Sequence, residues 1–175
     1  MDETLITASL TSQYQAALGM FRGAVTGMPS ARWNDTTDVN PTWRIAYHAL
    51  FFTHLYLSGS EEAYAPWGPA LVEATGADEP LALPADAVPY SREQILAYAD
   101  AIEAMLPTMV PLARYDGPSG FSWISISRFE HHLYNIRHLM HHTGQLAERT
   151  RAAGGGGLEW KGRGPAAIIV KEAVG

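Results

Sequence analysis

Apolar residues recur at Ile6, Leu10, Tyr14, Ala17, Leu18, Phe21 and Val25, a spacing that predicts an amphipathic helix over residues 3–27, closed by Gly27, Pro29 and Ser30. A polar stretch from Asn34 to Asp38 then leads to Asn40, an N-cap type, and Pro41, a residue suited to a first helical position. The helix these open, over 41–58, is apolar nearly all round (Ile45, Ala46, Ala49, Leu50, Phe51, Phe52, Leu55, Leu57) and stops at Gly59; such a helix is expected to be buried. Prolines and glycines punctuate residues 59–90 too densely for another long helix. Ser91 and Gln94 have capping-box spacing, and Ile95, Tyr98, Ala99, Ile102, Met105 and Leu106 predict a third helix over 92–106, ending before Pro107. Ser127 and Glu130 repeat the capping signal, and the fourth helix runs from there through Gly144 to Ala153, where Gly154 to Gly157 end it.

Four helices with one long link between the second and third predict an all-α four-helix bundle with a crossover at 59–90, the two flanking helices running parallel because an antiparallel pair needs only a short turn. Buried Leu, Ile and Phe on these stripes, worth about 1.5–3 kcal/mol each, would hold the bundle together. The bundle takes residues 1–153. The tail, 154–175, carries one apolar patch from Ala166 to Val170 that is compatible with a strand or an interface segment. Tyr64, Trp67 and Leu71 are apolar anchors in the crossover, which is expected to pack over one end of the bundle and shape access to a site.

Composition narrows the function. A chain of 175 residues, 47% hydrophobic and 17% charged, is the size and type of one globular domain. The net charge of -6 argues against nucleic acid as a partner. Arg128, Arg137, Arg149 and Arg151, interspersed with Glu130 and Glu148, read as a solvated helix face. There is no cysteine, so any metal site must use nitrogen or oxygen ligands. The start, Met1-Asp2-Glu3-Thr4, is acidic where a secretory signal is basic, and no apolar run reaches the ~18 residues of a membrane span; a cytoplasmic protein without a membrane partner is the expectation.

All seven histidines fall in the second and fourth helices. His138 and His142 are one turn apart on one face, which suits two imidazoles converging on one ion. His131 and Asn135 lie near that stripe, His141 to one side and His132 far round the helix. His48 sits among Ile45, Leu50, Phe51, Phe52 and Leu55, so its ring points inward and needs a polar partner. His54, six residues on, cannot easily share a first shell with it. A lone histidine on an apolar face is more often a hydrogen-bonded core residue, and Leu139 replaces the glutamate of the metalloprotease His-Glu-x-x-His motif. The convergence of two helices is what favours a site: a third ligand from another helix is how bundles build metal centres.

The segments Trp43-Arg44-Ile45-Ala46-Tyr47-His48, with Tyr56-Leu57 closing the same helix, and Arg137-His138-Leu139-Met140-His141-His142-Thr143-Gly144-Gln145-Leu146 resemble the DinB/YfiT-like superfamily of metal-binding four-helix bundles over residues 3 to about 153. The resemblance implies a divalent ion on His48, His138 and His142. Thr143 stands where many members carry arginine, and the crossover is long for the family. Family resemblance further implies either a transferase or isomerase using a low-molecular-weight thiol such as bacillithiol or mycothiol, or a metal-dependent hydrolase. Three neutral imidazoles suit Zn, Ni or Fe, and the ligand face shows no carboxylate placed as a base, which leans toward thiol chemistry. A small-molecule substrate and a homodimer are the expected partners; a non-catalytic, metal-stabilised stress-response protein is the alternative class.

Overall fold

The computed structural model describes residues 2–35, 37–68, 88–112 and 114–168, and among them the protein is all-α, with five helices and no strand. They are α1 (Glu3–Gly27), α2 (Ser30–Trp33), α3 (Thr42–Leu57), α4 (Arg92–Met109) and α5 (Arg128–Ala152). No helix of the described residues is long and apolar enough to cross a membrane.

Local signals account for most of the boundaries. Asp2 caps α1 by accepting from Thr4 N. The Ser91 box is reciprocal: Gln94 N donates to Ser91 Oγ (3.2 Å) and Ser91 N donates to Gln94 Oε1 (2.8 Å). At α5 only half of the expected box forms, Glu130 N donating to Ser127 Oγ. Asn40 is not the cap of α3; the helix begins one residue later, at Thr42 after Pro41, and the Asn40 carbonyl accepts from Arg149 Nη1 at 2.7 Å.

Two boundaries differ from expectation. α4 continues past Pro107 to Met109 instead of ending before it. Proline removes one donor but already has a helical φ, and this one falls in the last turn, where Thr108 Oγ1 donates to Met105 O and Val110 N to Leu106 O. The short α2 lies in a segment whose sequence reads as a break; its Trp33 is buried and donates from Nε1 to Tyr90 O.

The four long helices pack in a ring: α1 on α5 and α4, and α3 on α5 and α4. Their contacts fix direction. Tyr14 meets His132 while Thr150 donates to Ala24 O, so α1 and α5 run the same way. Arg22 pairs with Asp100 and Glu103 while Arg92 reaches Met28 O, so α1 and α4 are opposed. Thr53 meets Asn135 while His48 meets His138, so α3 opposes α5. Between α3 and α4, Trp43 and Tyr47 face Tyr90 and His54 faces Tyr98, an advance in the same sense. One core of buried apolar residues joins all four, with Tyr14, Leu18, Phe21, Leu50, Ile95, Ile102, Leu139 and Leu146 fully enclosed.

Of the segment between α3 and α4, residues 69–87, including the anchor Leu71, lie outside the described residues. The described ends pack on the α3–α4 side: Tyr64 against Phe51 and His54, and Trp67 stacked on Tyr98 at 4.5 Å. The tail lies along α1, where Gly164 N donates to Ser12 Oγ, Gln13 Nε2 to Gly162 O and Ala166 N to Gln15 Oε1.

The reading of a uniformly solvated arginine face fails at Arg128, which is 1% exposed. Its Nη1 donates to Tyr56 O and Ser119 O and its Nη2 to Leu57 O, so a buried cation satisfies the carbonyls that end α3 and ties them to the loop before α5. The same junction forces a glycine. Gly120 has φ +91, and a Cβ there would stand 1.7 Å from the Gly59 carbonyl oxygen. Within the loop, Ser119 N donates to Ile126 O and Ser119 Oγ to Ile124 O.

Candidate metal centre

α3 is buried on nearly every side, and its His48 is 5% exposed. α5 presents His138 and His142 across from it, one turn apart, with His142 also 5% exposed and His138 half-buried. The structure thus brings together the three histidines singled out from the sequence, with one ring nitrogen of each within 4.8 Å of the others. His48 Nε2 stands 3.2 Å from His138 Nε2, and His142 Nε2 stands 3.1 Å from the same atom. Two nitrogens at ~2.0–2.1 Å from a tetrahedral ion are about 3.3 Å apart, so the spacing fits a shared cation.

Hydrogen bonding alone does not account for this cluster. In a neutral imidazole Nε2 has either one hydrogen or one lone pair, so His138 Nε2 cannot make a good bond to both neighbours at once. His142 Nδ1 meets Gln145 Oε1 at 2.8 Å. An amide oxygen only accepts, so Nδ1 carries the proton and Nε2 keeps its lone pair for a ligand. Burial, and then the neighbouring His142 and His48, push the His138 pKa down to about 3, so the ring is neutral and able to coordinate near neutral pH. Phe52 covers one flank, its ring 4.8 Å from His48 and 5.6 Å from His138.

The other histidines serve elsewhere. His54 Nδ1 shares a hydrogen bond with Tyr98 Oη at 3.1 Å, and burial lowers its pKa. His132 Nδ1 shares one with Tyr14 Oη at 3.1 Å. His131 packs against the rings of Tyr56 and Phe121, and Asn135 Nδ2 donates to Thr53 O. His141 is exposed, its ring 5.0 Å from that of His142.

Sequence reasoning placed Gln145 on the ligand face but gave it no role; three residues after His142, it is that ring's partner. Two further residues of the same helix were given no part in the site. Tyr134 and Arg137 line a cavity of about 240 Å³ with His138 and His141. The crossover was expected to shape access, a reading that falls mainly on residues 69–87, outside the described residues; among the described residues, the loop before α5 places Trp123, Ile124 and Ile126 along a second cavity of about 660 Å³ that shares Tyr134 and Arg137 with the first. That loop has no periodic pattern to announce it.

Fold and site together define an all-α protein with a buried three-histidine group that can hold a metal ion. No family model, curated protein or solved structure matches the chain.

Proposed function

We infer that this chain is a metal-dependent enzyme on a DinB/YfiT-like four-helix bundle, in which His48, His138 and His142 hold one divalent ion (Zn, Ni or Fe) and a small thiol is transferred to an electrophilic small molecule. The observation that carries the metal reading is the pair of Nε2 separations at His138, which suit a cation and exceed what one imidazole nitrogen can satisfy by hydrogen bonds. The helix directions and the α3–α4 link support the bundle reading.

A divalent ion there supplies Lewis acidity, lowering the pKa of a water or thiol that binds beside it. The protein's own groups hold and orient: Gln145 fixes the His142 tautomer, and Phe52 keeps solvent from one flank. Thiol transfer is favoured because the cavity against His138 is lined by Tyr134, Arg137 and His141 with no carboxylate, and the chain has no cysteine to supply sulfur. In the transfer the thiol proton passes to His141 or solvent, the sulfur electron pair forms the new carbon–sulfur bond, and the leaving group departs with its bonding pair. Hydrolysis is the second reading, favoured by the same His141, which can take a proton from water. The alternative class is a non-catalytic, metal-stabilised protein acting through dimerisation or as a stress-response binder, favoured if a fourth protein ligand closes the metal's coordination.

Elemental analysis tests the site: alanine at His48, His138 or His142 abolishes stoichiometric metal, while His54→Gln and His132→Gln retain it. Full retention in His142→Ala overturns it. Turnover of electrophiles only with bacillithiol, mycothiol, glutathione or coenzyme A supports transfer; turnover only of thiol-free esters or amides makes the protein a hydrolase.

A further inference from the structure

The two cavities beside the histidines share two walls, Tyr134 and Arg137. The smaller reaches His138 and His141; the larger runs away from them between Tyr56 of α3, Leu133 of α5 and the loop residues Trp123 and Ile124. A volume of about 660 Å³ lies in the range of small-molecule sites, and its aromatic and aliphatic walls suit an apolar body.

The shared wall carries a charge with no carboxylate paired to it among the described residues. Arg137 is exposed and, like Lys161 and Arg163, forms no ion pair among the described residues, whereas Arg22, Arg32, Arg114, Arg149 and Arg151 each pair with a carboxylate; of the unpaired cations named, it is the one that lines both cavities. Its guanidinium carbon instead stands 5.4 Å from the centre of the Tyr134 ring, a cation–π contact that takes none of its N–H donors. On a chain of net charge -6 this leaves a positive point at the junction of the two cavities. Glu130 lines the larger cavity seven residues earlier, about 10 Å along the helix, where it disfavours a second negative charge on the ligand.

We propose that this groove binds a hydrophobic monocarboxylic acid, its carboxylate on the Arg137 guanidinium beside His138 and its apolar body along Tyr56, Trp123, Ile124 and Leu133. The role of this acid as substrate rests on the metal-enzyme reading; its binding requires only Arg137 and the groove.

The test uses the full chain, metal-loaded and after chelation, with hydrocinnamate and its neutral amide as probes. Calorimetry gives the affinities, and the Trp123 indole N–H resonance, assigned through Trp123→Phe, reports the location. Wild type should prefer the acid by about tenfold and shift the Trp123 signal, and Arg137→Gln should bind acid and amide alike. Arg137→Lys, which keeps the charge without the fork, should fall between. Equal affinities in wild type, an unmoved Trp123 signal, or a preference that survives Arg137→Gln overturns the proposal. Acid binding that vanishes on chelation but persists in Arg137→Gln makes the carboxylate a metal ligand and overturns it too. A protein that takes up no metal yet still discriminates through Arg137 keeps this proposal and sinks the metal-enzyme reading.

Discussion

Gln145 is the residue whose role is most economically tested. It is exposed, so its removal disturbs no core packing, yet its amide oxygen sets which nitrogen of His142 carries the proton. Gln145→Ala is expected to weaken metal binding about 10- to 100-fold, as loss of such an outer partner does, while leaving metal-free stability within ~0.5 kcal/mol of wild type. Competition against a chromophoric chelator measures the first and urea unfolding the second. An unchanged dissociation constant would mean that packing against His48 alone orients the ring. At this scale much of the site was legible: His138 and His142 are one turn apart in any helix, and the apolar setting of His48 turned its ring inward. Arg128 was not, because charge pattern cannot tell a surface arginine from one whose donors all meet carbonyls at the end of another helix.

Along α5, the buried face carries more imidazole than the site uses. Burial, and then the Arg128 charge, lower the pKa of His131 to about 4 and of His132 to about 3. Both are folded as neutral rings, while the unfolded chain protonates them near pH 6.5. Their stabilising effect is therefore complete above about pH 6.5 and is lost as pH falls from there toward 4 and 3, at up to about 1.4 kcal/mol per pH unit per group. Urea midpoints of the chelated protein at stepped pH should fall across that window, and His132→Gln should flatten the slope; a midpoint constant down to pH 5 would show the rings to be hydrated. The helices themselves were readable from apolar period and caps, α1 at its observed limits and α3 and α5 within a residue or two. What escaped was non-local. The turn of α4 beyond Pro107 rests on Thr108, and α2 on the burial of Trp33. The facing of His48 and His138, by contrast, was expected, but from the resemblance, since it depends on α3 opposing α5, which no spacing within either helix encodes.

For the molecule as a whole, a cation on His48, His138 and His142 would link α3 to α5, two helices already packed through Thr53 and Asn135. If it binds only the folded chain, saturation at about 100 times its dissociation constant adds ~2.7 kcal/mol. For a chain of this size that corresponds to a fall in Tm of about 5–10 °C on chelation, with helicity retained, and scanning calorimetry with and without chelator checks it. Complete unfolding on chelation would instead assign the ion a structural role. The junction where Gly120 lies against the Gly59 carbonyl, clamped by Arg128, bears on how ligands arrive. The wall holding Trp123 and Ile124 is fastened at that junction to the end of α3, so the groove exists before anything enters it. Stopped-flow association of hydrocinnamate should then give a relaxation rate that rises linearly with concentration; a plateau would reveal a slow opening step that this fastening forbids.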